Sequence, residues 1–129
     1  MNVLYHAHSG FRYLVLLAGV ATLLYALYGT LARRPFDKTM RTLGSVFAGT
    51  LHLQLFLGVA LLFSGRFGSG VAGHVFLMVF AAAVAQVVPS VTRRRPPERR
   101  SHAPFVVSSI VALALVAAGV MALGRPLVG

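Results

Sequence analysis

Residues 43–63 read LGSVFAGTLHLQLFLGVALLF, 21 consecutive positions without an Asp, Glu, Lys or Arg. A helix rising about 1.5 Å per residue needs about 20 such residues to cross the roughly 30 Å hydrocarbon core of a bilayer. Transmembrane strands run about 9–11 residues and alternate in polarity, and this stretch does not alternate. Three further runs share its character: Tyr13–Leu31 (19 residues), Val71–Val91 (21) and Phe105–Leu123 (19). Together the four hold 80 of the 129 residues. In lipid every backbone amide needs an internal partner, which leaves helices as the solution for such runs. The sequence therefore predicts an all-α, four-transmembrane-helix bundle, a single membrane domain over residues 1–129. Its helices are expected near 8–31, 42–64, 71–91 and 104–123, running up-down-up-down.

Composition agrees. The chain is 57% hydrophobic and 11% charged, with a mean hydropathy of +0.80, whereas soluble domains carry about 25% charged residues. Cysteine is absent, which excludes disulfides, thiolate metal sites and thiol catalysis. The first run is expected to be retained and not cleaved as a signal. No Lys or Arg precedes Arg12, and the run exceeds the usual apolar region of a signal peptide.

The net charge of +10 would suggest nucleic acid if the cations were dispersed over a soluble surface. They are not. Nine of the twelve fall in two segments, at Arg33, Arg34, Lys38 and Arg41 and at Arg93, Arg94, Arg95, Arg99 and Arg100. An up-down-up-down path puts both segments on one side, and short loops rich in Lys and Arg stay in the cytoplasm. Both termini are then expected on the outer, periplasmic side of a bacterial cytoplasmic membrane. Topology accounts for the charge, so nucleic acid is not an expected partner. Anionic lipid headgroups are, with Arg33, Arg34, Arg93, Arg94 and Arg95 as their contacts. The loops share an RRPx[DE][KR] pattern at residues 33–38 and 94–99. A duplicated hairpin is one reading. A shared need for snorkelling arginines, a helix-stopping proline and an acid near the next helix start is the other.

Residues 68–73 spell GxGxxG, but the dinucleotide fingerprint needs a preceding strand and an acid about 20 residues later. Here a membrane helix precedes it and Arg93 stands near that distance, so the segment is read as a glycine-rich outer turn. The histidines are more informative, because polar side chains in a bilayer cost free energy and tend to be functional. Helical spacing from His8 runs through Arg12, Val15, Gly19, Thr22, Ala26 and Gly29, a face of small residues below two polar ones. That face is expected to point into the bundle. On helix two Ser45, Gly49, His52, Phe56 and Val59 share a face, with Gln54 on another. On helix three His74 leads to Met78, Ala81, Ala85 and Val88. His8, Arg12, His74 and Met78 are thus expected to converge in the outer leaflet. His102 is expected at the cytoplasmic interface.

Two histidines on neighbouring helices can ligate haem iron axially, a methionine such as Met78 can replace one, and an arginine can pair with a propionate. His52 and His74 differ in depth by about 12 Å at helical rise, so His8 and His74 are the better-levelled pair for haem b. Zinc is disfavoured, since no carboxylate lies outside the basic loops. The alternative without cofactor has His52 hydrogen-bonding across helices and His8 and His74 in wet interfacial positions. A third reading is a quinone or lipid pocket lined by Arg12 and His52. Catalysis lacks an intramembrane acid or a nucleophile–base pair, and four helices leave little room for a pore.

His8-Ser9-Gly10-Phe11-Arg12-Tyr13-Leu14, then His52-Leu53-Gln54-Leu55-Phe56-Leu57-Gly58, then Gly73-His74 with Met78, resemble an uncharacterised bacterial family of small four-helix membrane proteins with HSGxR and HLQLxLG motifs, sometimes labelled cytochrome b-like. The resemblance covers about three of the four helices and implies that His8, Arg12, His52 and His74 are shared polar positions. The chain departs from that pattern at Gly73, where the family tends to have Glu, and at Tyr13, where Trp is common.

The expectation from sequence is therefore a non-catalytic integral membrane protein. It would serve as a small accessory subunit of a larger respiratory or photosynthetic membrane complex, in contact with other membrane subunits. A haem-b electron carrier and a quinone- or lipid-binding subunit are the alternatives.

Overall fold

The computed structural model describes residues 2–63, 65 and 71–124. Four helices form, α1 (Asn2–Leu31), α2 (Lys38–Phe63), α3 (Val71–Arg94) and α4 (Ala103–Met121), with a short 3-10 turn at Pro97–Arg99 before α4. All four are long and apolar enough to cross a membrane, the build of a multi-pass membrane protein. No strand occurs among the described residues.

The helices close into a ring in which α1 packs on α2, α2 on α3, α3 on α4 and α4 on α1. Their directions alternate, as the contacts at each end show. At one end His8 of early α1 meets Gln54 and Gly58 of late α2, His74 in the first turn of α3, and through it Gly119 in the last turn of α4. At the other end Thr22 reaches the Leu43 carbonyl at 3.1 Å, Gly29 abuts His102, and Gly44 abuts Phe105 and Pro89.

Small side chains fill much of the interior around Phe47, Phe105 and Met40, and many large ones face outward. Ala26, Ala81 and Ala112 are fully buried, while Leu17, Phe56 and Val107 are each more than three-fifths exposed. Hydrocarbon is as apolar as leucine, so helices in lipid gain from close approach of small residues and not from hiding large ones. The α1 face behaves as its spacing predicts: Val15, Gly19, Thr22, Ala26 and Gly29 are all buried. Gly19 is required there, because a Cβ would lie 2.6 Å from Leu113 and 2.8 Å from Phe47.

Three boundaries differ from expectation. Helix α1 begins at Asn2 and not near residue 8, since Asn2–Ala7 contains no Gly or Pro to stop it. Helix α3 continues to Arg94, with Pro89 inside it and buried against the α2–α4 contact. The neighbours hold its last turns although the proline removes one ladder bond. Helix α2 begins at Lys38, because the Asp37 carboxylate accepts the Met40 amide at 2.9 Å and caps the helix. The two RRP loops take different paths. The first turns through Arg33 at φ 54 and the second through the 3-10 turn at Pro97–Arg99.

The cap supplies a first prediction. Burial pushes the Asp37 carboxyl up, but hydrogen bonds from the Tyr25 hydroxyl and the Met40 amide, with His102 and Arg34 nearby, outweigh it and hold the group below its ordinary value. A depressed folded-state value means stability that is present above the unfolded pKa, about 3.9, and lost as pH falls through the folded value. Thermal unfolding in detergent should therefore weaken below about pH 4 in the wild type. Asp37→Ala should cost about 1 kcal/mol at neutral pH and flatten that acid limb. An unchanged acid limb in the variant would remove Asp37 as its source.

Candidate functional site

A cavity of about 400 Å³ opens inside the bundle at the end where α1 and α3 begin. His8 and Arg12 enter it from α1, Gln54 and Gly58 from α2, His74 and Met78 from α3, with Val116 and Val120 of α4 closing the far wall. The two imidazoles face one another, ring centres 6.3 Å apart and planes at 86°. His74 Nδ1 lies 2.8 Å from the Gly119 carbonyl oxygen. A carbonyl can only accept, so Nδ1 carries a proton, and in the neutral ring Nε2 is the nitrogen with the lone pair.

Glycines back both rings. A Cβ at Gly58 would lie 3.3 Å from His8 Cε1, and one at Gly119 would lie 2.5 Å from the Met78 terminal methyl and 3.6 Å from His74 Nδ1. The Gln54 amide nitrogen donates to the His8 backbone carbonyl at 2.7 Å. Its other end, Oε1, is buried without a hydrogen-bond partner, as is His8 Nδ1. Arg12 is held by its own helix. It donates to the Ser9 hydroxyl at 2.6 Å and the Ser9 carbonyl at 3.1 Å, and to the Tyr13 hydroxyl at 2.8 Å. The structure thus brings His8, Arg12, His74 and Met78 to one cavity.

His52 is not among them. The face it shares with Ser45, Gly49, Phe56 and Val59 is exposed at every one of those positions. His52 Nε2 sits 3.0 Å from Gln86 Oε1 on α3, and Gln86 donates on to the Ser90 hydroxyl at 2.8 Å. The inward stripe of α2 is Gly44, Phe47, Ala48, Leu51 and Gln54, so the buried polar residue is the glutamine. The pocket between Arg12 and His52 is therefore not formed: Arg12 lines the cavity and His52 lies outside the bundle. Gln54, Gly58 and Gly119 were not expected as site residues from sequence. The glycine four positions beyond Gln54, which keeps one helical face, was the available signal.

His102 stands at the start of α4, at the end that carries the basic loops, as expected, and points inward. It is buried, with Nε2 3.1 Å from the Pro35 carbonyl. Its ring is packed between Tyr25 and Phe36 at 5.7 and 6.0 Å. Arg33, Arg34, Arg93, Arg94 and Arg95 are exposed at that same end. Arg100 donates to the Arg95 and Arg93 carbonyls at 3.0 and 3.3 Å, satisfying the open C-terminus of α3. Arg66, Arg125 and the Gly68–Gly70 part of the GxGxxG segment lie outside the described residues.

Among the described residues no three His, Cys, Asp or Glu side chains gather into a metal site; the cavity offers two imidazoles. Comparison with protein-family models, with curated proteins and with solved structures finds no match to this chain.

Proposed function

We propose that the chain is a haem-b-binding, electron-transferring subunit of a larger membrane assembly, non-catalytic by itself, with His8 and His74 as the axial pair. The observation that carries this reading is the separation of the two rings. A metal–nitrogen bond of about 2 Å on each side puts two axial imidazoles with their centres about 6 Å apart. The His8 and His74 rings stand at 6.3 Å. The proton on His74 Nδ1, donated to Gly119, leaves the ligating nitrogen free and orients the ring, as a supporting hydrogen bond does for metal-bound histidine. Arg12 at the cavity wall would pair with a propionate, and Met78 would pack beside the ring plane. Haem supplies one-electron transfer, and the protein supplies ligands, orientation and a dry surround.

Assembly follows from the exterior. The connections at 32–37 and 95–102 are short, so electrons must be exchanged with partners in or at the bilayer, respiratory or photosynthetic. The positive-inside rule supports a reading in which the basic loops lie in the cytoplasm of a bacterial inner membrane and the cavity in the outer leaflet.

Purified after haem-replete expression, the protein is expected to show a Soret band at about one haem per chain. A colourless preparation from such cells overturns the reading. The orientation has its own check, eased by the absence of cysteine. An impermeant maleimide added outside should label Val3→Cys and spare Arg99→Cys, and the reverse pattern inverts the topology. A second reading rests on the unpartnered Gln54 Oε1 and His8 Nδ1, which suit a small hydrogen-bonding ligand such as a quinol. Co-purified quinone without a Soret band would favour it.

A further inference from the structure

A second feature lies at the opposite end of the bundle, on its outside. Between the start of α2 and the end of α3 runs an open groove of about 440 Å³ lined by Arg41, Thr42, Ser45, Val46 and Arg93. We infer that this groove binds the phosphodiester of an anionic phospholipid, with Arg41 and Arg93 on the phosphate and Thr42 and Ser45 beneath it.

Charge comes first. Two guanidiniums flank the groove and no carboxylate lines it. Of the chain's two acids, Asp37 is engaged by Tyr25 and Met40, and Glu98 lies in the 3-10 turn. Guanidinium groups match phosphate oxygens in bidentate geometry.

Depth comes second. Arg41 is in the first turn of α2, which starts at Lys38, and Arg93 is in the last turn of α3, which ends at Arg94. That is where a spanning helix meets the headgroups.

The floor distinguishes a lipid from a free ion. Below the hydroxyls Val46 lines the groove, and about one turn further along α2 the exposed Gly49 has nothing within 4 Å of an added Cβ. An acyl chain can lie flat against this bare backbone. Beside it Arg93 reaches the Ser90 hydroxyl at 3.4 Å, and Ser90 accepts from Gln86, which partners His52. The neighbouring polar side chains Ser90, Gln86 and His52 therefore satisfy one another. A phosphate at the rim with an apolar track below it is the shape of a phospholipid. Two cations and no acid select a headgroup without a compensating ammonium.

Native mass spectrometry of the detergent-purified protein with added phosphatidylglycerol or phosphatidylcholine tests this. The wild type should retain one phosphatidylglycerol at least about tenfold in preference to phosphatidylcholine. At about 1 kcal/mol per basic residue, Arg41→Gln and Arg93→Gln should each weaken retention about fivefold, and the double variant about 30-fold. Lys38→Gln with Arg99→Gln, which removes equal charge from the same end of the bundle at positions outside the groove, should leave retention within about twofold.

All four side chains are exposed, so helicity by circular dichroism should be unchanged. Equal loss in the two double variants would mean diffuse attraction and overturn the site. So would unchanged retention in the Arg41/Arg93 variant. Displacement of the lipid by millimolar inorganic phosphate would assign the groove to a free ion.

Discussion

His8→Ala and His74→Ala are each expected to remove the Soret band from protein expressed in haem-replete cells, while His52→Ala leaves it in place. The three side chains look alike in sequence, all on helices, and only their placement separates them. His8 and His74 face each other at 6.3 Å across the cavity, whereas His52 points outward and is paired with Gln86. Loss of a group that merely supports a metal ligand costs about 10–100-fold in affinity, so loss of either histidine proposed to hold the haem should exceed that range. Far-ultraviolet circular dichroism should report an intact bundle in all three variants, because neither cavity histidine is needed for the helix contacts at the opposite end. His8→Ala retaining a wild-type spectrum, or His52→Ala losing it, would dissociate the colour from this cavity. A shift to a five-coordinate spectrum with partial haem retention would still locate the iron between the two rings.

Gly29→Ala should destabilise the protein by about 2 kcal/mol. A Cβ there would fall on the His102 ring, 2.5 Å from both Cδ2 and Nδ1. That ring cannot swing away. It is bonded to the Pro35 carbonyl and enclosed by Tyr25 and Phe36. Overpacking of this kind costs about 1–3 kcal/mol or more, and the better helix propensity of alanine returns up to about 1 kcal/mol. Gly49→Ala is the control. Nothing lies within 4 Å of its added Cβ, so stability should hold or rise slightly. His102→Ala should largely rescue Gly29→Ala, a coupling that thermal unfolding of the four-member cycle would read. Additive losses would show that the clash is relieved elsewhere.

Some of this was legible in the chain itself. The four uncharged runs lie within α1 to α4, except that the last run ends two residues beyond α4. The face from Val15 to Gly29 was readable because small residues at helical spacing recur nowhere by accident over four turns. The step from His74 to Met78, Ala81 and Ala85 was readable for the same reason. The helix limits were less so, since α1 extends through residues that carry no stop signal and α3 runs through Pro89 under neighbouring packing.

Helix α2 shows where such reading ends. His52 and Gln54 are two residues apart, about 200° around the axis, in a segment apolar on every side. In water the polar face would turn outward and settle the rotation. In hydrocarbon both faces meet an equally apolar medium, so composition assigned the chain to a membrane and its spans to helices but left this rotation open. Packing decided it. Gly44, Phe47 and Leu51 fit against Phe105 and the core, which carries Gln54 inward to the His8 carbonyl and leaves His52 to pair with Gln86 on the outside.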